Sequence, residues 1–232
     1  TENFAAVFMM RLESGKAVHY PLPSLPKPCA FMAGAQLGSV LYVAGGIETP
    51  AATTALPVFW ALYLQKLDRG WQNLPTWPGP ERVLACMGAH DGSVFLFSGA
   101  RLKAGADGKP VREWLRDGYR YTPNQGWRKI ADLPRVSVAA PSPAPMRDGR
   151  LLILGGDDGA LVDFEPKAKH PGFPRDILAY DPEHDTWSRA GRVPFSLVTS
   201  PAVTWNGRII VPGGEARPGK RSPEVWSAEQ AY

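Results

Sequence analysis

The sequence predicts an all-β fold built from a four-stranded unit that repeats along the chain. Four apolar segments end in Gly-Gly or Ser-Gly, and their final glycines at positions 46, 99, 156 and 214 are 53, 57 and 58 residues apart. A fixed period of this length is typical of propellers and related repeat architectures. The 24 glycines, 24 prolines and eight tryptophans among 232 residues indicate many turns and recurring aromatic anchors.

Each unit begins with a hairpin. The four segments are LGSVLYVAGG (37–46), DGSVFLFSG (91–99), DGRLLILGG (148–156) and NGRIIVPGG (206–214). The Asp-Gly and Asn-Gly pairs predict type I′ turns, because both central residues of that turn need positive φ. Each pair therefore marks a strand, a tight turn and a second strand.

A second hairpin completes each of the first three units. The three segments are FWALYLQKLDRGWQNLP (59–75), DGYRYTPNQGWRKIADLP (117–134) and DILAYDPEHDTWSRAGRVP (176–194). In each, a polar turn separates an aromatic or apolar residue from Trp71, Trp127 or Trp187. We interpret these tryptophans as packing residues between units, since four-stranded units usually bury their faces by radial stacking.

An apolar strand, Gly-Gly, Tyr and then Trp at a period near fifty resembles the kelch repeat, and the resemblance covers essentially the whole chain. It implies a kelch-type β-propeller. The expected divisions of this single domain are the last two strands of a blade (1–30), three whole blades (31–80, 81–134 and 135–195) and the first three strands of a closing blade (196–232).

These divisions give about 17 strands, a number that four does not divide. Either the ends close a four-bladed ring with one strand to spare, or the four visible units belong to a six-bladed propeller that lacks its first blades. We favour six blades, because an open blade exposes strand edges and apolar faces.

Composition excludes several classes of function. The net charge is only +4 and the basic residues are scattered, which argues against a nucleic-acid partner. The sequence contains no stretch of 18 apolar residues, the length that a membrane-spanning helix needs. Cys29 and Cys86 are expected to be buried thiols, and neither they nor the four histidines have metal-ligand spacing. We therefore expect no metal.

The last glycine pair leads into an unusual charged loop, EARPGKR (215–221). Loops between the second and third strands of a blade gather on one face of a propeller, near the central channel. Pro218 and Gly219 can fold the loop back, so that Glu215 and Arg221 face one small volume. The pattern is compatible with a site, and equally with an ion pair or two solvated side chains of little energetic value.

The motif G-E-A-R-P-G-x-R on such a propeller resembles the N-acetylneuraminate epimerases, or sialic acid mutarotases, and in particular their cyclically permuted branch. Further similar stretches are LYVAGGIETP, WPGPERVLA, FLFSG, DGKPVREWLRDGYRYTP, LGGDDG and HPGFPRDILAYD. The family's first blade and half of its second have no counterpart here. The resemblance implies a cofactor-free isomerase that interconverts the α and β anomers of sialic acid, with Glu215 as proton acceptor and Arg221 as an essential neighbour.

The chemistry explains why such residues are needed. Opening the sugar ring requires a base for the anomeric hydroxyl and a proton for the ring oxygen. The sugar carboxylate requires a planar two-donor clamp, which arginine supplies. We expect Arg221 to be this clamp, with Arg217 behind it.

Other charged residues at strand ends are weaker candidates for substrate binding. Glu48, Arg101, Asp157 and Asp158 follow the glycine pairs of other units, so they are expected on the same face, although acidic residues there are commonly turn formers. Arg82 and Arg135 precede the first strand of a unit and could reach the channel. The long loops at 100–113 and 157–175 are expected to be lids or contact surfaces.

The competing hypothesis is a non-catalytic kelch propeller that binds a protein or an acidic sugar. A sialidase would carry repeated Ser-x-Asp-x-Gly-x-Thr-Trp turns, of which EHDTW (183–187) is only a fragment, and the ligands of a kelch copper oxidase are missing. The expected partner is a small acidic sugar. A homodimer and association with a missing N-terminal segment both stay open as assemblies, and the family resemblance implies a periplasmic or secreted location.

Overall fold

In a computed structural model that describes residues 2–229, the chain forms four antiparallel blades of a β-propeller. The prediction of an all-β, kelch-type propeller is thereby confirmed. In the described residues the helical content is two single-turn 3-10 helices, Leu67–Arg69 and Lys167–Lys169. No helix in that part of the chain has the length and apolar character needed to span a membrane.

A two-stranded ribbon precedes the blades. It consists of β1 (Val7–Glu13) and β2 (Lys16–Leu22), which pair antiparallel across a turn at Ser14 and Gly15. The ribbon is tied to the next blade by the indole N–H of Trp71, which donates to the Pro23 carbonyl at 2.8 Å.

The first two blades are sheets of four strands in sequential order. The first blade contains β3 (Ala33–Leu37), β4 (Val40–Ala44), β5 (Phe59–Tyr63) and β6 (Gln72–Asn73). In the second blade, a hairpin separates the first two strands from the last two. In chain order the strands are β7 (Cys86–His90), β8 (Ser93–Phe97), the hairpin strands β9 (Ala100–Ala104) and β10 (Pro110–Trp114), then β11 (Gly118–Thr122) and β12 (Gly126–Ile130).

The third blade has four strands and the fourth has three in the described residues. The third contains β13 (Met146–Arg147), β14 (Arg150–Leu154), β15 (Asp176–Asp181) and β16 (Thr186–Arg192). The fourth contains β17 (Val203–Trp205), β18 (Arg208–Pro212) and β21 (Val225–Glu229), with a small hairpin of β19 (Glu215–Arg217) and β20 (Lys220–Arg221) inserted before β21.

The predicted hairpin turns are present. Both residues of the three predicted turn pairs, Asp91-Gly92, Asp148-Gly149 and Asn206-Gly207, have positive φ, for example 48° at Asn206 and 68° at Gly207. At the other end of the hairpin, Gly214 has a φ of 116°, and a Cβ there would lie 2.9 Å from the Val198 carbonyl oxygen. Close approach of two backbones therefore requires the glycine that ends this repeat segment.

A chain of backbone hydrogen bonds joins the four blades where each begins. Its members are four residues with positive φ: Phe31, Leu84, Ala139 and Thr199, at 57°, 56°, 56° and 53°. Each of the last three donates its N–H to the carbonyl of the preceding member, at 2.9, 2.8 and 2.8 Å. We call these four residues the inner chain. It fixes the spacing of neighbouring blades before any side chain is considered.

Tryptophans hold the outer parts of the blades together. Trp127 donates its indole N–H to the Pro75 carbonyl of the first blade at 2.9 Å, and Trp187 donates to the Ala131 carbonyl of the second blade at 3.0 Å. The Trp187 ring also packs against Phe97 and Tyr180, with centroids 5.3 and 5.0 Å away. The interpretation of these residues as packing between units is confirmed.

Both cysteines are free and buried, as predicted. Burial raises the pKa of the Cys29 thiol to about 11 and that of the Cys86 thiol to about 12. Both thiols are therefore protonated at neutral pH and belong to the core.

Replacing Trp187 with alanine should lower the free energy of unfolding by about 3 kcal/mol, because the change removes ring packing and leaves the Ala131 carbonyl without its donor. Urea denaturation followed by tryptophan fluorescence or circular dichroism measures this. The matched control is Trp205→Ala, since Trp205 is 65% exposed and its loss should cost within about 0.5 kcal/mol. Equal effects of the two changes would contradict the packing role.

Candidate functional site

The candidate site is built on equivalent positions that directly follow the Gly-Gly or Ser-Gly at the end of each repeat segment. These positions are Ile47, Ala100, Asp157 and Glu215. Each forms an antiparallel bridge with the residue before its inner-chain member, namely Ala30, Val83, Val138 or Val198. Two of the four are carboxylates, and they belong to the neighbouring third and fourth blades. Asp157 and Glu215 therefore occupy equivalent backbone positions in the third and fourth blades.

The structure brings Glu215 and Arg221 together. The β19–β20 hairpin pairs their backbones, and Arg221 Nη1 lies 3.6 Å from Glu215 Oε2. Glu215 Oε1 accepts the backbone N–H of Gly219 at 2.7 Å, while Arg221 Nη1 donates to Thr199 Oγ1 at 2.8 Å. The Glu215 side chain is 21% exposed and that of Arg221 is 69% exposed. A carboxylate that is mostly shielded from solvent therefore lies beside a solvent-exposed guanidinium group.

Glu215 and Asp157 line one cavity of about 250 Å³. The remaining polar or charged lining residues are Arg112, Lys167, His170 and Thr199. Its apolar wall is formed by Leu84, Val138, Ala139, Leu161, Val162, Phe173, Val198 and Pro218. Three inner-chain residues are in this lining, so the cavity lies where the second, third and fourth blades meet.

Arg221 lines an adjoining cavity of about 460 Å³. The two cavities share Leu84, Ala139 and Thr199, so Thr199 stands between Glu215 and the second space. Its hydroxyl holds the Arg221 guanidinium at this boundary. A ligand spanning both cavities could contact the carboxylate and the guanidinium at once.

Asp157 is held at the cavity by its own loop. Asp157 Oδ1 accepts the Gly159 N–H at 3.0 Å. Burial raises the pKa of Asp157 above its ordinary value, and the negative charge of Asp158 adds to the rise, whereas the hydrogen bond from the Gly159 N–H and the electrostatic influence of Arg112 and His170 oppose it. The carboxyl group is therefore easier to protonate than an exposed aspartate.

The sequence reasoning missed Arg112 and His170. Arg112 lies on β10, and His170 directly follows the second 3-10 helix. His170 is buried, and its Nδ1 accepts the Gly172 N–H at 3.0 Å, which leaves the hydrogen of the neutral ring on Nε2. Both residues belong to the long segments predicted as loops, 100–113 and 157–175, and their length was the available signal; the first of them forms the β9–β10 hairpin.

Arg82 does not reach the cavities, contrary to expectation. Its side chain is fully buried and forms a two-pronged ion pair with Asp117, at 2.8 and 2.9 Å. It also donates to the Ser98 carbonyl at 2.9 Å and lies over the rings of Trp77 and Tyr119. This arginine is a structural member of the second blade.

Arg135 is likewise turned inward rather than to the channel. Its guanidinium donates to Ser137 Oγ at 2.8 Å and to the carbonyls of Val136, Gly155 and Asp176 at 2.8, 2.9 and 3.2 Å. Burial lowers the pKa of this guanidinium. The prediction that Arg135 could reach the channel is wrong, because its guanidinium N–H groups donate hydrogen bonds to these backbone carbonyls.

The remaining candidates take other partners. Glu48 pairs with Lys27 at 3.1 Å, and Arg101 pairs with Glu81 at 3.3 Å. Asp158 Oδ1 accepts the Ala160 N–H at 3.0 Å, as a turn former does. Arg217 lies on β19, where its backbone pairs with Lys220. None of these four lines the cavity of Glu215 or that of Arg221.

The described residues contain no cluster of three or more His, Cys, Asp or Glu side chains arranged to hold a metal ion. The charged groups at the two cavities are instead suited to an organic anion with hydroxyl groups. A guanidinium group can bind the carboxylate of such an anion, and carboxylates can accept hydrogen bonds from its hydroxyls.

The family model described as N-acetylneuraminate epimerase matches residues 22–164, more than half of the chain. The N-acetylneuraminate epimerase of Brucella melitensis is 30% identical over 88% of this chain and 57% of its own length. That of Yersinia enterocolitica is 26% identical over 89% and 57%, and that of Haemophilus influenzae strain PittEE is 27% identical over 95% and 62%.

A solved structure titled "Structure of YjhT" superposes with a TM-score of 0.72 at 21% identity, over 90% of this chain and 65% of that one. This likeness supports the propeller fold. The chain spans 57% to 62% of the length of the three relatives named above.

Breaking the Arg82–Asp117 pair should be costly because it leaves a buried guanidinium without its counter-ion. Asp117→Asn is expected to lower the free energy of unfolding by about 3 kcal/mol at neutral pH in urea denaturation. The control is Asp132→Asn, which removes the exposed pair with Lys129 and should cost within about 0.5 kcal/mol. A similar loss in both variants would contradict the buried role of Arg82.

The same pair predicts a pH dependence. Burial alone would raise the pKa of Asp117, but the hydrogen bonds and charge of Arg82 outweigh it and hold that pKa below the ordinary value. The ionised pair therefore stabilises the fold above the unfolded-state pKa, and this contribution is lost as the pH falls toward the lower native value. Unfolding curves below pH 5 should show a smaller acid loss in Asp117→Asn than in the wild type; parallel losses would contradict this.

Proposed function

The chain belongs to the N-acetylneuraminate epimerase family, and we propose that it interconverts the α and β anomers of N-acetylneuraminate by acid/base ring opening. The observation that carries the proposal is the placement of Glu215 beside Arg221, at the boundary of two cavities. A reaction at an anomeric centre that bears a carboxylate needs a base and an anion clamp side by side.

Glu215 is the proposed base. One of its oxygens accepts the Gly219 N–H, the other lies 3.6 Å from Arg221 Nη1, and its side chain is largely shielded from water. A carboxylate in this setting can take the proton of an anomeric hydroxyl that enters the cavity. The proton transfer starts ring opening to the ketone, which can rotate and close to the other anomer.

Arg221 is the proposed clamp for the sugar carboxylate. Among the described residues, the hydrogen bond and the ion pair of its guanidinium both engage Nη1, toward Thr199 and Glu215. The Nε and Nη2 donors are left for a ligand, and a planar guanidinium can bind a carboxylate through two parallel hydrogen bonds. Because the Arg221 side chain is largely exposed, an anion can reach its guanidinium from solution.

The cavities suit a ligand the size of a sugar. Their volumes of about 250 and 460 Å³ together fall within the range of about 300–1,000 Å³ that is usual for small-molecule sites. The wall is mostly apolar, with a few charged groups converging from three blades. We therefore propose that the sequence-derived units of the propeller act as one domain, since the site needs the second, third and fourth blades together.

Glu215→Gln should lower the rate of anomer exchange by about 10² to 10⁴-fold, because the amide keeps the shape but cannot accept the proton. A proton NMR time course on freshly released α-N-acetylneuraminate gives the rate. Glu224→Gln, at an exposed glutamate of the same loop region, is the control and should keep wild-type activity. A wild type that binds the sugar but leaves the anomer lifetime unchanged would instead support a non-catalytic binding propeller.

Arg221→Lys should raise KM about tenfold or more and change kcat less, because a lysine retains the charge but cannot form the two parallel bonds. The same NMR assay over a range of substrate concentrations separates the two constants. Arg208→Lys, which alters an exposed arginine paired with Glu229, is the control. An unchanged KM in Arg221→Lys would remove the clamp from the proposal.

A further inference from the structure

We propose that Asp157 is the second catalytic group of this site and delivers the proton to the ring oxygen while Glu215 takes the proton from the anomeric hydroxyl. The inference rests on the proposed function and deepens it. Anomer exchange requires two proton transfers, and the pair of Glu215 and Arg221 provides a proton acceptor for one of them.

The backbone places the two carboxyl groups in matching positions. Asp157 exchanges two hydrogen bonds with Val138, both 2.8 Å long, and Glu215 exchanges two with Val198, at 2.9 and 3.0 Å. Each partner valine directly precedes an inner-chain residue. The two side chains therefore start from the same register position of neighbouring blades, and both line the cavity of about 250 Å³.

Asp157 has an oxygen available for a ligand. Its Oδ1 accepts the N–H of Gly159, whereas within residues 2–229 Oδ2 has no hydrogen-bond donor or ion-pair partner. A protonated Oδ2 can therefore present its hydrogen to the cavity. Glu215 differs, because the Gly219 N–H occupies one of its oxygens and Arg221 lies near the other.

The surroundings of the two groups favour opposite roles. Glu215 faces the cation of Arg221, whereas Asp157 is partly buried and lies next to Asp158 in the chain. Partial burial and the charge of Asp158 raise the pKa of Asp157, despite the opposing effects of the Gly159 N–H, Arg112 and His170. The charged or titratable groups that face it are Asp158 on its own loop, Arg112 on β10, Lys167 and His170 at the second 3-10 helix, and Glu215 on β19. Two carboxyl groups in different environments commonly divide the acid and base roles in this way.

The ring-opening step balances with these two groups. Glu215 takes the proton of the anomeric hydroxyl, and the electron pair of that O–H bond forms the carbonyl of the ketone. The bond between the anomeric carbon and the ring oxygen breaks, and its electron pair stays on the oxygen, which takes the proton of Asp157. The products are the open-chain ketone, a protonated Glu215 and an ionised Asp157.

Ring closure reverses the transfers on the other face of the ketone. After rotation about the bond next to the carbonyl carbon, the chain hydroxyl attacks that carbon and returns its proton to Asp157. The carbonyl oxygen takes the proton held by Glu215 and becomes the new anomeric hydroxyl. Both carboxyl groups are restored, and no oxidant, reductant or other reactant is consumed.

The test is Asp157→Asn in the full 232-residue chain, assayed by the NMR time course from pH 4 to 9. The amide can keep the bond to Gly159 but cannot deliver a proton, so kcat should fall about 10² to 10⁴-fold with KM changed less than about threefold. Asp157→Glu should recover part of kcat. The matched control is Asp163→Asn, an exposed aspartate of the same loop, which should keep wild-type constants.

The pH profile separates a proton donor from a structural role. In the wild type, kcat should fall as the pH rises through the pKa of Asp157, and this alkaline limb should vanish in Asp157→Asn. An equal loss of activity at every pH, with the limb retained, would overturn the donor role, and so would an Asp157→Asn variant with wild-type kcat. Circular dichroism and the unfolding midpoint of each variant identify misfolding; if Asp157→Asn misfolds, the partial activity and retained limb of Asp157→Glu decide the matter.

The activities of the wild type, Glu215→Gln and Asp157→Asn together distinguish an error in the role of Asp157 from an error in the proposed function. If the wild type is active and Glu215→Gln is not, while Asp157→Asn behaves as the wild type, only the role of Asp157 is wrong. If the wild type leaves the anomer lifetime unchanged, both the proposed function and the role of Asp157 are wrong.

Discussion

The inner chain of backbone hydrogen bonds is the constraint on which the rest of the structure depends. Four residues with positive φ, one at the start of each blade, link Phe31, Leu84, Ala139 and Thr199 in succession. Such backbone geometry is uncommon outside glycine, and it recurs here at the same point of every blade. The repetition sets a fixed angle and distance between neighbouring blades, so the residues next to the inner chain hold fixed positions relative to each other.

The candidate site is a direct consequence of that repetition. The residue before each inner-chain member pairs with the residue after each glycine pair, and the latter position is apolar in the first two blades but acidic in the third and fourth. One backbone arrangement is thus part of the core in the first two blades and carries the candidate site in the third and fourth. The long segments that carry Arg112 and His170 contribute both side chains to the lining of the cavity that Asp157 and Glu215 share. Matching backbone bridges place the two carboxylates, and the long segments contribute to their surroundings.

The sequence predicted those features that depend on local periodicity. The Asp-Gly turns, the glycine pairs and the spaced tryptophans each have a local physical cause, and they were enough to predict the blades and their packing. The roles of Arg82 and Arg135 could not be predicted in this way. Their partners are Asp117 in one case and the carbonyls of Gly155 and Asp176 in the other, at sequence separations of 20 to 41 residues. A charged residue ahead of a strand looks the same in sequence whether it faces a channel or a buried counter-ion.

The site shows the same division between local and distant signals. Glu215 and Arg221 are six residues apart in a folded loop, and the motif was sufficient to expect them side by side. The shared cavity of Glu215 and Asp157 depends on the contact between two blades, and the contribution of His170 depends on how a long loop folds back. A crystal structure of the chain soaked with N-acetylneuraminate tests the central claim most directly. The account predicts the sugar carboxylate on Arg221, and the anomeric hydroxyl and ring oxygen within hydrogen-bond distance of Glu215 and Asp157 respectively. A sugar bound elsewhere, or turned so that its anomeric carbon faces away from both carboxyl groups, would contradict it.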